Sequence, residues 1–336
     1  MHASHPLRIF GVSGFLTILV VSLVGWKLGP QALFLALMLC IIEITFSFDN
    51  AIINARILRH MSRFWQQIFL TVGILIAVFG MRLVFPIAIV AVTAQLDWGT
   101  VIDLALNHPT EYSHKLAQSH SIIASFGGSF LLMLGLHFFL ERGRTIHWLR
   151  FEKKLSKVGD HWVPVVVSLI VTLILAVIPG HSDPVATAIA GAAGVLTYLA
   201  IHGLSEIFGH NKALTSNVKK TGMAAFVSFL YLEVLDASFS FDGVIGAFAI
   251  TSDVIIIAAG LGIGALWVRS LTVYMVRRKV LEQYRYLEHG AHYTILVLAA
   301  ILLLSMFVHL PEAVPGFIGI SIIGASLWAS RKEAIR

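Results

Sequence analysis

The chain has 336 residues, of which 57% are hydrophobic and only 12% charged, with a formal net charge of +6. A soluble domain averages about 25% charged residues, so a soluble globular protein is excluded and an all-α, polytopic membrane helical bundle is expected. The single cysteine, Cys40, excludes a disulfide framework or a cysteine metal cluster within the chain. The basic residues are dispersed, which argues against a nucleic-acid partner.

A spanning helix needs about 20 largely apolar residues. In chain order such segments are predicted at 9–29, 31–55, 68–93, 120–141, 162–179, 184–208, 222–250, 253–276, 291–309 and 313–330, ten in all. Pro30, Pro86, Pro164, Pro179, Pro184, Pro311 and Pro315 fall at or near their ends, where proline is tolerated. The first segment could be read as a signal peptide, but its basic flank is only Arg8 and no small-residue cleavage site precedes Lys27. It is therefore expected to be a retained helix.

The N-terminus and alternate loops hold 20 Lys and Arg residues, and the opposite loops only Lys27 and Lys115. That asymmetry predicts cytoplasmic N- and C-termini. The opposite face is mildly acidic, with Asp97, Asp103, Glu111, Asp183, Asp253 and Glu312. Its longest loop, 94–119, contains Asp97, Asp103, Asn107, His108, Glu111 and His114 and reads as a solvated polar segment, with a weak surface metal site as the alternative. On the basic side, 142–160 mixes Lys and Arg with Trp148, Leu149, Phe151 and Leu155. It reads as an amphipathic helix on an anionic leaflet, with partner binding as the alternative.

One stretch occurs twice. Phe46, Ser47, Phe48 and Asp49 recur at a shift of 193 as Phe239, Ser240, Phe241 and Asp242, and the same shift puts Glu43 on Asp236 and Thr45 on Ser238. Five predicted helices separate the copies, so they cross the membrane in opposite directions. The chain then divides into two inverted halves, 1–180 with the Glu43/Asp49 motif and 181–336 with the Asp236/Asp242 motif. Arg82 and Arg269 each lie in the helix after a motif and support the repeat. Inverted repeats recur in secondary transporters, with substrate bound near the midplane where the halves meet. A relic of duplication without a transport role is the alternative.

On an ideal helix Glu43, Ser47, Asn50 and Asn54 share a face, as do Asp236, Ser240, Gly243 and Ala247, with Asp49 and Asp242 about 120° away. Either these aspartates meet another neighbour, or the helices break near Ser47–Phe48 and Ser240–Phe241. Gly243 and Gly246 favour a break in the second copy; the first has no glycine there. The intramembrane acids Glu43, Asp49, Glu233, Asp236 and Asp242 outnumber Arg82 and Arg269. Such an excess calls for protons or bound cations. The expected metal ligands are Glu43, Asp49, Asn50, Asn54, Asp236, Ser240 and Asp242, with Thr45, Ser47 and Ser238 as further hydroxyl candidates. Arg82, Arg269 and Glu233 are expected to balance charge. Oxygen donors suit Mn²⁺, Ca²⁺ and Mg²⁺; zinc and copper favour imidazole or thiolate. His137 and His202 lie inside helices but outside the repeat, and read as structural or interfacial.

At these residues the sequence resembles the TerC family of integral membrane proteins. Glu-x5-Asp-Asn at Glu43–Asn50, its second copy at Asp236–Gly243 and an arginine in the helix after each carry the resemblance, over about 30–310. The resemblance is nearer to a bacterial branch with paired Ser-Phe-Asp-Asn and Ser-Phe-Asp-Gly motifs. It implies a fold related to the LysE-type exporters, with paired inverted three-helix units. It also implies divalent-metal efflux, chiefly of manganese, and a link to tellurium resistance.

The expected function is therefore export of a divalent cation, Mn²⁺ before Ca²⁺, by proton exchange in a bacterial inner membrane. No prosthetic group is expected; the partners are the bilayer and the cation, and homo-oligomerisation is left open. An intramembrane aspartyl hydrolase is disfavoured, because Glu43, Asp236 and the arginines are surplus to an acid–base dyad. A scaffold for metal-resistance partners, docking through 142–160, is a further alternative.

Overall fold

The computed structural model describes residues 6–142, 144–160, 162–178, 183–210, 219–308, 311 and 313–334. Within these, the side chains of 6–8, 158, 209, 210, 241, 242, 249, 313 and 334 lie outside the description. Asp242 as a ligand, and Arg8, Lys212 and Glu312 as topology markers, thus fall outside the described side chains.

The helices are α1 (Pro6–Phe46), α2 (Phe48–Leu58), α3 (Arg63–Leu75), a π-helical stretch (Ile76–Val84), α4 (Phe85–Thr93), α5 (Trp98–Asn107), α6 (Pro109–Gln118) and α7 (His120–Leu140). They continue as α8 (Glu152–Val158), α9 (Trp162–Val177), α10 (Pro184–His210), α11 (Gly222–Ile250), α12 (Val254–Arg277), α13 (Val280–Gln283), α14 (Leu287–Leu304) and α15 (Ala313–Ala334). Eight described helices are long and apolar enough to cross a membrane, and Trp162–Val177 is a shorter apolar one. The chain is a polytopic membrane helical bundle. Its apolar outer surface, with Phe15, Ile18, Phe34, Ile41, Val92, Leu196 and Trp328 all exposed, is what a lipid-facing surface requires.

The eight helices account for nine of the ten predicted segments because α1 holds two, and the shorter Trp162–Val177 is the tenth. Gly29, at φ 87° and ψ 177°, lies inside α1 beside Pro30. Glycine alone reaches that backbone conformation without a Cβ penalty. The chain reverses there, as shown by its contacts with α12. Ser13 Oγ bonds Ser270 Oγ at 2.7 Å and the Leu266 carbonyl at 3.2 Å, while Glu43 packs against Gly264. Residues 13 and 43 would stand about 45 Å apart on a straight helix, yet they meet α12 within two turns. Thus α1 is a helical hairpin lying on α12.

The same neighbours give the relation between the repeat copies. Glu43 lies by Gly243, and Asn54 Nδ2 approaches Asp236 Oδ1 at 3.5 Å. Residue numbers rise on one segment as they fall on the other, so the copies cross antiparallel. The segments after them do likewise: Gly73 meets Arg269, and Val78 meets Gly262. This is the crossing an inverted repeat demands. The two stretches 1–180 and 181–336 do not pack as separate bodies, since the α1 hairpin of the first lies on α12 of the second.

Two connecting regions differ from expectation. The 94–119 segment folds into α5 and α6, because Val101, Leu104, Ala105, Tyr112 and Leu116 recur at helical spacing and bury together. Asp97 caps α5 through Thr100 N at 2.8 Å, and these bonds hold its exposed carboxyl below the usual range. Among the described residues of 142–160 only Glu152–Val158 is helical. Glu152 is buried and accepts from Tyr293 Oη at 2.6 Å and Trp148 N at 2.8 Å. This carboxylate ties the segment to α14, leaving Leu149, Phe151 and Leu155 exposed.

The hairpin is directly testable. In a Cys40→Ala background, paired Ser13→Cys and Ser270→Cys substitutions should cross-link under mild oxidation, read as a mobility shift on non-reducing gels. A straight α1 would leave the two thiols too far apart to react.

Candidate functional site

Charges buried in an apolar bundle need partners at hydrogen-bond distance. Arg269, 1% exposed, donates from Nη1 to Glu233 Oε1 at 2.9 Å, and from Nη2 to Glu233 Oε2 at 3.0 Å and Asp236 Oδ2 at 2.6 Å. Its Nη1 also reaches the Phe69 carbonyl at 3.1 Å, and the guanidinium lies over the Phe69 ring. Arg82 donates to Glu43 Oε1 at 2.6 Å and to the Ala77 carbonyl at 2.6 Å. The repeat pairs Glu43 with Asp236, so Arg82–Glu43 and Arg269–Asp236 are equivalent ion pairs. Glu233 adds a second carboxylate in one half; a shift of 193 puts Cys40 in its place in the other.

Close packing makes room for these groups. A Cβ on Gly73 would collide with Arg269 Nη1 and Glu233 Oε1, and one on Gly264 with Glu43 Cβ and Cγ. Neither glycine was singled out by the sequence, where each is one small residue in an apolar run.

The first copy breaks and the second does not, the reverse of the expectation from the glycines. At Ser47 the backbone leaves helical geometry (φ −97°, ψ 18°) between α1 and α2, whereas α11 continues through Asp236–Gly243 to Ile250. The flanking bonds Ser47 N→Glu43 O at 3.0 Å and Ala51 N→Ser47 O at 3.3 Å survive, so the break is a kink. Glycine removes the Cβ penalty but does not by itself bend a helix that is packed along its length. Arg82 sits in the π-helical stretch, a wide turn that is frequent at functional sites.

A small cavity of about 10 Å³ lies between the two pairs, lined by Glu43, Ser47, Asn50, Arg82, Asp236, Ser240 and Arg269. It has room for about one water-sized occupant. Asn50 Oδ1, Asn54 Oδ1 and Ser240 Oγ are buried with no hydrogen-bond partner among the described residues. Leaving such atoms unsatisfied costs about 1–3 kcal/mol each.

Asp49 stands apart from this cavity, as its helical phase suggested. It lines a larger crevice of about 80 Å³ with Glu43, Asn50 and Gly243, walled by Thr294 and Leu298 of α14 and by Gly316 and Gly319 of α15. Asp49 is 4% exposed and has no ion-pair partner among the described residues. Glu43 and Asn50 line both spaces and connect them. The contribution of α14 and α15 was not legible in the sequence, because their lining residues are small or apolar.

Thr45 lines the Asp49 crevice and Ser238 lies outside both spaces. Each hydroxyl donates to its own helix, Thr45 to the Ile41 carbonyl at 2.6 Å and Ser238 to that of Val234 at 3.0 Å. Among the described residues, no three His, Cys, Asp or Glu side chains converge as a ready metal-ligand set. The polar centre is instead a mixture of carboxylate, amide and hydroxyl oxygens held by two guanidinium groups.

A family model described as a protein of unknown function, DUF475, matches residues 48–336. The chain belongs to this family. No curated protein and no solved structure matches it.

The unequal pairing predicts unequal stability. Removing one partner of a buried pair costs about 3–5 kcal/mol. Arg269→Ala strands two carboxylates and should lower the thermal unfolding midpoint in detergent more than Arg82→Ala, which strands one. Gly73→Ala should act in the same direction as Arg269→Ala, by displacing the guanidinium.

Proposed function

We propose that the chain is a divalent-cation transporter whose cargo passes the polar centre between the two repeat copies, with Mn²⁺ as the preferred cargo. The observation that carries this reading is the set of unpartnered buried oxygens, Asn50 Oδ1, Asn54 Oδ1 and Ser240 Oγ, beside the carboxylates of Glu43 and Asp236. Carboxylate, amide and hydroxyl oxygens are the donors that hard divalent ions take, and the described centre offers neither imidazole nor thiolate to favour zinc. The resemblance to the TerC family belongs to the same reading.

Asp49 gives the reading its coupling. A buried carboxylate without a cationic partner is stable only when protonated or when holding a cation. Metal binding requires the deprotonated form, so proton and metal compete for the same oxygens. Glu43 would exchange Arg82 for the cation at the junction of cavity and crevice. Arg269, doubly paired, would hold Asp236 in place throughout. Asp242, equivalent to Asp49 in the repeat, is assigned the matching role in the second copy. The direction is export from the cytoplasm, with both termini cytoplasmic and the bacterial inner membrane as the location.

Flux into vesicles carrying the full chain and a manganese-sensitive dye tests this. Wild-type flux should rise when a pH gradient is imposed against the metal movement. Asp49→Asn, Glu43→Gln and Asp242→Asn should each fall to the level of protein-free vesicles while still inserting and folding. Arg82→Ala should weaken the response to the gradient more than manganese binding. Flux indifferent to the gradient, or zinc carried as well as manganese, would sink the mechanism.

A further inference from the structure

A second polar space lies away from the carboxylate centre, toward the face that carries the basic loops. It measures about 270 Å³ and sits among the end of α2, the end of α7, α10, the start of α11 and α14. Its polar lining includes Arg56, Lys220, Tyr231, Ser205, Ser228 and the imidazoles of His60, His137, His202 and His292; Tyr198 and Glu141 complete it. The chemistry is opposite to that of the midplane centre: donors and cations, with one carboxylate.

The charges around it do not balance. Arg56 and Arg59 share one carboxylate, Glu288, at 3.6 Å and 3.1 Å. Glu141 is held by Arg144 at 2.6 Å. Glu206 faces His202 at 3.6 Å and is largely exposed. Lys220 donates to Ser228 Oγ at 3.1 Å and makes no ion pair among the described residues, while Lys219 is turned onto the Arg59 carbonyl. Among the described residues the cavity is thus lined by two cations, Arg56 and Lys220, and by one carboxylate, Glu141, that Arg144 already holds. Burial pushes the Lys220 ammonium below its usual value. It also holds His60 down to about 4, aided by Arg59, Lys220 and Lys219. The half-buried cations would gain from an anion between them.

We propose that this cavity binds a phosphate group, either inorganic phosphate or the phosphomonoester headgroup of an anionic lipid. Arg56 offers a planar guanidinium and Lys220 a compact ammonium, the pair that a doubly charged tetrahedral oxyanion takes best. Ser205 and Tyr231 bring neutral hydroxyl groups to the same wall, while Ser228 spends its proton on the Ala224 carbonyl and positions the Lys220 ammonium. The imidazoles of His137 and His202 stand ring to ring at 4.4 Å and can turn N–H groups toward an anion without adding a competing negative charge. Arg56 lies on α2, the helix that also carries Asp49, Asn50 and Asn54, so the bound anion would act on the helix that follows the kink at Ser47. The assignment stands whatever the cargo of the carboxylate centre is.

The test uses the full chain in nanodiscs. In neutral phosphatidylcholine discs, labelled inorganic phosphate should bind at about one per chain. Arg56→Gln and Lys220→Gln should each weaken binding at least tenfold, with Lys220→Arg restoring it and Lys153→Gln, on the exposed α8, leaving it unchanged. The rescue by Lys220→Arg separates a lost charge from a lost fold. If inorganic phosphate does not bind but phosphatidic acid does, and the same two variants lose it, the source is the lipid headgroup. Binding of neither, or binding that survives both glutamine variants, overturns the proposal.

Discussion

The rest of the structure depends on a single constraint: two guanidinium groups inside an apolar bundle must be neutralised at contact distance. Arg269 meets Glu233 and Asp236, and Arg82 meets Glu43, all at 3.0 Å or less. Those distances dictate how closely α12 approaches α11 and how closely the π-helical stretch approaches α1. They explain the glycines at 73 and 264, where any side chain would push the charges apart. The packing of four transmembrane segments is thus subordinate to two ion pairs. In water an exposed pair is worth about 0–1 kcal/mol; here, loss of one partner strands a charge in a medium that cannot solvate it.

The inverted repeat makes the two halves comparable and shows that they are not alike. Arg269 is clamped by two carboxylates and stands on a regular helix opposite the unbroken α11. Arg82 has one carboxylate, sits in wide π-helical turns and faces the kink at Ser47. Local irregularity and single pairing fall in the same half. A helix bent at Ser47 and a guanidinium held by one acid can rearrange at lower cost than their counterparts.

Much of this was legible in the sequence because acids in apolar runs are rare and their spacing survives duplication. Glu43, Asp236, Arg82 and Arg269 were identifiable as interacting charges, and the helical phase already separated Asp49 from the Glu43 face. The turn at Gly29–Pro30 was marked by its residues. What was hidden has a physical reason in each case. Gly243 and Gly246 signalled a break in α11, but continuous packing overrides backbone freedom. The kink at Ser47 has no residue that demands it. Gly73, Gly264, Gly316 and Gly319 matter for the volume they leave unfilled, and a sequence does not show which neighbour occupies that volume. The i, i+3, i+4 spacing that buries Val101, Leu104 and Ala105 in α5 was present but outweighed by the polar residues around it.

Two centres of opposite charge now share one short helix. Asn50 near the start of α2 and Asn54 at its middle touch the carboxylate site, while Arg56 near its end lines the cationic cavity. Eleven residues at about 1.5 Å each make a rod of about 16 Å, too short to bend appreciably between them. A displacement at either end is therefore carried to the other as a rotation about the kink at Ser47. Glu288 opposes such rotation, because it holds Arg56 and Arg59 to α14 at the basic end. An anion beside Arg56 would compete with Glu288 for that guanidinium. Occupancy of the cavity would then set how firmly α2 is tied to α14, and through it the position of Asp49 in the crevice that α14 and α15 enclose.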